Sequence, residues 1–321
     1  AVMYNMPHAV KLTGNVNSET IRHAMQEMIN RHEILRTEFH MIEGEPVQKI
    51  VDHVEADFIY LPESEKTDEA LMQEFLKPFD LSRASQMRMQ LVNRGEYHLL
   101  MMDTHHIISD GASDTVFMKE FNALCSGETL EPLNHQFKDY SEWMRKRDLS
   151  TQKEHWLAVF EEEVPILDMP LDYPRPQEQQ YSGAAIGILM EPELLSEIRK
   201  LEQKTGATAY MIFLAAAMVM LSKYSRQEDV VIGSPVSGRT HKDTEDMLGM
   251  FVNTLAMRGR PQREKRFVDF LMEMKEICLK AYENQEYPFE ELVEEVEVCR
   301  DLSRNPLFDV MLVFQNNEHE E

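Results

Sequence analysis

The apolar positions near the start of the chain repeat with the period of a helix. Asn17 or Ser18 can cap this helix, because short polar side chains accept hydrogen bonds from the first free N–H groups. The spacing of three and four residues places one set of apolar side chains on a single buried face: Ile21, Ala24, Met25, Met28 and Ile29. Ahead of the helix, the stretch 9–13 is predicted as a strand. This part of the sequence therefore predicts a strand–helix unit.

Strand-like and helix-like patterns continue through the first half. Five further stretches are predicted as short strands: 35–42, 47–51, 58–61, 87–92 and 97–104. The last two flank a glycine turn at 93–95 and predict a β-hairpin. Helical spacing predicts a helix over 67–75 and another from Ala112 onward, with Phe117 and Phe121 on one side. The first half is thus a mixed α/β region.

A proline- and glutamine-rich stretch interrupts the pattern at 166–183. Proline lacks the backbone N–H and fixes φ, so we interpret this stretch as a connector between a first lobe, 1–165, and a second, 184–321. The elements predicted for the second lobe are strands over 184–190 and 230–232 and helices over 192–204, 208–222 and 267–281. Two mixed α/β lobes predict a ligand cleft where they meet.

Composition narrows the classes of partner. Lys and Arg number 33 and Asp and Glu 57, giving a formal charge of −24, which opposes binding to nucleic acid or anionic membranes. The most apolar run, 209–221, is too short to span a bilayer and predicts a core helix. Three scattered cysteines predict neither a disulfide framework nor a thiolate metal site, so we expect a reducing cytoplasm. The sequence starts with Ala1, and we expect it to be an excised piece of something longer.

The segment HHIISDG at 105–111 is the strongest candidate for chemistry. It follows a buried strand and precedes a helix, a place where titratable side chains often act in catalysis. Neighbouring side chains of a strand point to opposite faces, so one of His105 and His106 should face the cleft and the other the core. Packing of both histidines in the core is the structural alternative. A metal site is the weaker one, because adjacent histidines diverge and no third ligand is evident.

Asp110 admits two interpretations. It could orient the reactive imidazole, or pair with an arginine to hold a loop, and we favour the ion pair with Arg239 of the loop predicted at 232–239. Gly111 is expected to supply backbone freedom where the helix starts. A G-x-S-x-G elbow and a glycine-rich phosphate loop are both missing from the sequence, and the cysteines lack a basic neighbour, which favours inert thiols.

Six ordered blocks give the chain a resemblance to the condensation domain of bacterial, Bacillus-like non-ribosomal peptide synthetases, a family of the chloramphenicol acetyltransferase-like superfamily. A lone HHxxxDG is shared by the whole superfamily, whereas six blocks in order over most of the chain are specific. The blocks are RHEILRTEF at 31–39, HHIISDG at 105–111, DYSEW at 139–143, the glycine-, proline- and arginine-containing stretch at 232–255, QEYPFE at 285–290 and RDLSRNPLFD at 300–309.

The resemblance implies two chloramphenicol acetyltransferase-like lobes that form a V-shaped pseudo-dimer with a central tunnel. It implies that upstream and downstream peptidyl carrier proteins dock on opposite faces and send phosphopantetheine arms to His106 as substrates, beside a neighbouring adenylation domain in the same megaenzyme. The reaction implied is amide formation between a donor aminoacyl or peptidyl thioester and an acceptor aminoacyl thioester. No intrinsic cofactor or metal is implied.

The residue roles follow from the same resemblance. His106 either takes a proton during attack or holds the amine and stabilises the tetrahedral intermediate, and we favour positioning with late proton transfer. An α-amino group has a pKa near 8, so roughly a tenth is already neutral at pH 7. We expect His105 to pack beneath the site, Asp110 and Arg239 to link loops of the two lobes, and Arg31 and Arg36 to hold the helix-to-strand junction.

The sequence departs from the family pattern at a few points. Asn284 stands where the family usually has histidine and Ala112 where tryptophan is common; the family's first block is missing and the second lobe is expected to be incomplete.

The alternatives are an epimerisation domain, which would need a second acid or base opposite His106, and a non-catalytic docking domain. A heterocyclisation domain is disfavoured, because its motif carries aspartate where this chain has histidine. The ISDG form of the motif leans toward an L-configured donor.

Overall fold

Strand and helix formation follows the apolar patterns closely in the computed structural model, which describes residues 2–179, 183–296 and 301–315. These residues form two compact units: 1–147 with 239–251, and 148–238 with 252–321. The boundary predicted at 166–183 is therefore wrong. Trp156, Phe160 and Leu167 are buried in the second unit's core, whereas Leu248 is buried in the first unit's core, so burial rather than the prolines decides the division.

The first unit is built on a four-stranded sheet whose spatial order is β1-β6-β5-β4. Strands β1 with β6 and β6 with β5 are antiparallel, and β4 with β5 is parallel, so the sheet is mixed. A separate antiparallel pair is formed by β2 and β3. The strands are β1 (Asn5–Leu12), β2 (Thr37–Ile42), β3 (Glu45–Ile50), β4 (Phe58–Leu61), β5 (Met87–Asn93) and β6 (His98–His105).

Among its described residues, the first unit has four helices, together with short 3₁₀ turns at Glu33–Arg36 and Lys242–Thr244. The helices are α1 (Ser18–Arg31), α2 (Asp68–Phe75), α3 (Gly111–Cys125) and α4 (Phe137–Arg145). Asn17 caps α1 by accepting from the N–H groups of Glu19 and Thr20, as predicted. The five apolar residues predicted for the inner face of α1 are all buried, since that face packs against α3.

The second unit pairs one antiparallel ribbon with five helices among its described residues. They are α5 (Ser150–Val159), α6 (Pro192–Thr205), α7 (Ala209–Ser225), β7 (Val230–Val236), β8 (Asn253–Gly259), α8 (Phe267–Glu283) and α9 (Phe289–Glu295). Gly206 ends α6 with φ of +64°, a conformation that suits glycine. The cysteine Cys278 and the apolar face of α8 lie in this unit's core.

Two local predictions for the second half are wrong. The strand predicted over 184–190 is not formed; the stretch is exposed and no described strand pairs with it, so its backbone groups face water instead of a ladder. Residues 233–236, predicted as loop, belong to β7, because they pair with 253–256 of β8. In the described part of the chain, no one helix has the length and apolarity to cross a membrane. The bent pair α6–α7, at 105°, meets that test on length and composition only.

Candidate functional site

The two histidines lie where β6 ends and the chain turns toward α3. The backbone N–H of His105 donates to Gln86 O (3.0 Å), and that of His106 donates to Tyr4 O (2.8 Å). Residues next to the two neighbouring strands thus fix the backbone of both histidines. Both side chains are half-buried.

His105 is held by local contacts. Its Nδ1 accepts from the N–H of Ile107 (3.0 Å), and its ring centroid lies 6.1 Å from those of Tyr4 and Phe79. Burial, and secondly the nearby His106, lowers the pKa of His105. A neutral, hydrogen-bonded His105 fits the packing role that the sequence predicted for it.

A buried carboxylate that the sequence analysis passed over lies on the same sheet face as His105. Asp103 is fully buried two residues before His105, and its Oδ2 accepts from Asn5 Nδ2 (2.7 Å) and Arg88 Nε (3.1 Å). Burial raises the pKa of Asp103, although Asn5 and Arg88 oppose the shift. The signal was present, since a lone charge in the apolar run 97–104 is unusual.

Asp110 caps α3 and anchors the segment 239–251. Its Oδ1 accepts from the N–H of Ser113 (2.8 Å), and its Oδ2 accepts from the N–H of Phe251 (2.9 Å). Arg239 Nη2 lies 3.3 Å from Asp110 Oδ1. The predicted ion pair is confirmed, but both residues belong to the first unit, so the pair does not link two lobes as expected.

Arg239 holds the loop between itself and Phe251. Its guanidinium donates to the carbonyl oxygens of Thr244 and Met247 and to Ser113 Oγ (2.8 Å), and lies 4.1 Å from the centroid of the Phe251 ring. Burial lowers the pKa of Arg239, whereas Asp110 raises it. Lys could not replace Arg239 here, because its compact ammonium lacks the planar arrangement of several donors that the guanidinium has.

Ser113 joins the same network. Its Oγ donates to Gly249 O (2.7 Å) and accepts from Gly249 N (3.1 Å). A Cβ at Gly249 would lie 2.1 Å from Phe137 Cδ2, so close packing explains this glycine. Ser113 was not singled out by sequence, because a serine in the first turn of a helix is common.

Gly111 does not do what was expected of it. It begins α3 without a left-handed φ, and a Cβ built there has no atom within 4 Å. The prediction of special backbone freedom is therefore wrong. What distinguishes the position is open space beside the end of the HHIISDG segment.

The two arginines of the RHEILRTEF block have separate tasks. Arg31, at the end of α1, donates through Nε and Nη2 to both oxygens of Glu120 on α3 (3.0 and 2.9 Å). His32 Nε2 lies 2.6 Å from Glu120 Oε2 and is 1% exposed. Arg36 Nη1 donates to Val51 O (2.7 Å). Both arginines were expected at the helix-to-strand junction; Arg36 joins the 3₁₀ turn there to Val51 after β3, whereas Arg31 instead joins α1 to α3.

Two cysteines and Asn284 were also named from the sequence. Burial raises the pKa of the Cys278 thiol to about 12, and burial also raises that of Cys125 in the first unit, which supports inert thiols. Asn284 ends α8; its Nδ2 donates to Lys280 O (2.7 Å) and its carbonyl accepts from Trp156 Nε1 (2.9 Å). Cys299 and Arg300 lie outside the described residues.

The class of protein follows from comparison with known families. The family model described as the condensation domain matches residues 1–321, so the chain belongs to the condensation-domain family of non-ribosomal peptide synthetases, as the six blocks predicted. The chain is 46% identical over 320 residues to bacitracin synthase 3 of Bacillus licheniformis and 44% identical over 320 residues to tyrocidine synthase 3 of Brevibacillus parabrevis. Each match covers 98% of this chain and 5% of the relative.

Solved structures show the same fold. A four-domain non-ribosomal peptide synthetase in its holo form, bound to AMP and glycine, matches with a TM-score of 0.89 at 22% identity, over 99% of this chain and 25% of the other. The X-domain from teicoplanin biosynthesis matches with a TM-score of 0.87 at 24% identity, over 96% of this chain and 72% of the other. The fold predicted from the resemblance, that of condensation domains, is thereby confirmed.

Proposed function

We propose that this chain catalyses amide formation between a donor aminoacyl or peptidyl thioester and an acceptor aminoacyl thioester. Both substrates would be carried on the phosphopantetheine arms of peptidyl carrier proteins, upstream and downstream in one synthetase that also contains an adenylation domain. Membership of the condensation-domain family supports the reaction class. The free thiols of Cys125 and Cys278 are consistent with a reducing compartment, and we propose the cytoplasm.

One observation carries the proposal: Asp110 is hydrogen-bonded to other groups, so the His106 imidazole is available to a substrate. The carboxylate oxygens of Asp110 are directed at Ser113, Arg239 and Phe251. Within residues 2–179, 183–296 and 301–315, the imidazole of His106 has no hydrogen bond or ion pair, and it is half-exposed in the turn after β6. Its backbone N–H donates to Tyr4 O, and its partly exposed imidazole is available to hydrogen-bond with a substrate.

Amide formation requires the transfer of one proton, and His106 alone can carry it from the amine to the leaving group. The neutral acceptor amine attacks the donor carbonyl carbon, a C–N bond forms, and the C–S bond of the donor thioester breaks. His106 orients the amine through a hydrogen bond and receives its proton as the tetrahedral intermediate forms. The same proton goes to the departing thiolate, which leaves as the thiol of the donor arm. Proton transfer of this kind is typically worth about 10²–10⁴-fold in rate.

The experiment mixes the protein with one donor-loaded and one acceptor-loaded carrier protein and follows the amide product by mass spectrometry. We expect product with the wild type and a loss of about 10²–10⁴-fold for His106→Ala, with the melting temperature unchanged. His53→Ala is the matched control, since His53 is also a loop histidine but is exposed. Wild-type product from folded His106→Ala would exclude His106 as the acting residue, and no product from the wild type would contradict the reaction itself.

A further inference from the structure

A cavity of about 380 Å³ lies within the first unit, between α4 and the 239–251 segment. The side chains that matter for its chemistry are His135, Asp139, Tyr140, Trp143, His241 and Asp243. None of the residues assigned to amide formation lines it. The cavity is therefore separate from the site proposed for condensation.

One wall of this cavity is aromatic and incompletely covered. Helix α4 is amphipathic, yet none of its residues is fully buried, and Trp143 is 40% exposed. The rings of Tyr140 and Trp143 lie 5.9 Å apart, and the His241 ring lies 6.0 Å from Trp143. An apolar stem of a ligand could lie against this wall and remove it from water.

The rim of the cavity is acidic. The Asp243 side chain is 55% exposed, and its Oδ2 lies 3.7 Å from His135 Nε2 and 3.5 Å from His241 Nδ1, longer than ordinary hydrogen bonds. Asp139 adds a second exposed carboxylate, one oxygen of which accepts from Gln136 N (2.8 Å). The eight residues that line the cavity include neither lysine nor arginine. These carboxylates can therefore accept hydrogen bonds from a cation.

The Trp143 ring already has one guanidinium over its face. Arg147 lies 4.7 Å from the centroid of that ring, which shows that the local geometry accommodates a cation over an aromatic face. The net charge of −24 adds a general attraction for cations. An anion would instead meet two carboxylates.

We propose that this cavity binds a guanidinium or ammonium group on an apolar stem, the stem against Tyr140 and Trp143 and the cation at Asp243 and Asp139. The ligand is an arginine or lysine side chain of a partner polypeptide, or a free amine of the same chemistry. Thr244 also lines the cavity, and its carbonyl oxygen accepts from Arg239.

Fluorescence of Trp143 tests the proposal directly. The chain has two tryptophans, and the other, Trp156, is 3% exposed, so a ligand in the cavity acts on Trp143. The probes are N-acetylarginine methylamide, its neutral isostere N-acetylcitrulline methylamide, and the peptide Gly-Gly-Arg-Gly-Gly with capped ends. Trp143→Phe identifies the source of the signal, and Asp243→Asn is compared with Asp246→Asn, an exposed aspartate of the same loop outside the cavity.

We expect a saturable change in emission with both arginine probes and a weaker one with the citrulline probe. The signal should vanish in Trp143→Phe, binding should weaken about two- to fivefold in Asp243→Asn, and Asp246→Asn should bind like the wild type. Binding of the peptide at least as tight as that of the single arginine supports a partner side chain as the ligand; exclusion of the peptide supports a free amine. Equal binding of the citrulline probe, unchanged binding in Asp243→Asn, or no saturable response would overturn the proposal.

Discussion

Arg239 Nη2 lies 3.3 Å from Asp110 Oδ1, although 129 positions separate the two residues in the chain. Their side chains are 8% and 1% exposed, so the pair is shielded from water. Asp110 lies within the HHIISDG segment and caps α3, and Arg239 starts the segment that ends at Phe251. The pair therefore ties the backbone that follows His106 to a distant part of the sequence.

Removal of Asp110 should destabilise the first unit. Asp110→Ala leaves the Arg239 guanidinium buried without its counter-charge and removes the acceptor for the N–H groups of Ser113 and Phe251. Breaking a buried ion pair from one side costs about 3–5 kcal/mol. We expect the melting temperature to fall by several degrees, measured by calorimetry. Asp246→Ala, an exposed aspartate of the same unit, serves as the control; an unaltered melting temperature with lost activity would assign Asp110 a direct catalytic role.

Two glycines near the site should respond differently to the same change. Gly249→Ala places a Cβ 2.1 Å from Phe137, and overpacking of this kind typically costs about 1–3 kcal/mol. Gly111→Ala meets no atom within 4 Å and should leave stability unchanged or slightly raised, because alanine favours helix. Chemical denaturation of both variants measures the difference. Equal destabilisation by the two substitutions would show that close packing does not explain Gly249.

Acid should weaken the junction of α1 with α3 through His32 and Glu120, because the pKa of each is lowered in the folded protein. Burial lowers the pKa of His32 below its ordinary 6.5, although Glu120 opposes the shift. Burial would raise the pKa of Glu120, but hydrogen bonds from His32 and Arg31 together hold it below its ordinary 4.5. The stabilising contribution of each group is therefore complete above its ordinary pKa and is lost as the pH falls, from about 6.5 for His32 and 4.5 for Glu120.

The test is the melting temperature of wild type and His32→Gln between pH 8 and pH 5. Glutamine can still donate to Glu120 but does not titrate, so the decline of the wild type below pH 6.5 should be smaller in the variant. His23→Gln, on the exposed face of α1, should follow the wild type. A variant curve parallel to the wild-type curve would remove His32 as the source of the dependence.

The share of the rate effect of His106 that comes from positioning the amine can be measured with His106→Gln. Glutamine can accept a hydrogen bond from the attacking amine but cannot take its proton. If positioning is the larger part, the Gln variant should form amide distinctly faster than His106→Ala in the two-carrier assay. Equal rates for the two variants would indicate that proton transfer accounts for the effect.

Cys278 should resist thiol reagents in the folded protein. Its thiol is fully buried, and burial raises its pKa to about 12, so the thiolate is scarce at neutral pH. We expect iodoacetamide at pH 7.5 to leave the Cys278 peptide unmodified by mass spectrometry until the chain is unfolded with guanidinium. Rapid labelling of Cys278 without denaturant would show that the core around α8 opens readily.

Local sequence patterns anticipated those elements whose apolar period matches a single buried face. α1 is the clearest case, because the residues three and four positions apart are the ones that lie against α3. Likewise β5 and β6 are predicted as a hairpin from two apolar runs around a glycine turn. The strand predicted at 184–190 is not formed because a strand also needs a neighbour, and an apolar run does not say whether one exists.

The sequence by itself determined the family, the main helices, and His106 as the residue to test, since motifs and periods are written in neighbouring positions. Only the tertiary structure decided which distant side chains meet. It places Arg239 and residues up to Phe251 in the same unit as Asp110, builds the Arg31–His32–Glu120 cluster, and leaves open space at Gly111. The physical reason is that hydrogen bonds and ion pairs depend on distances of about 3 Å, which are set by packing of segments that lie far apart in the chain.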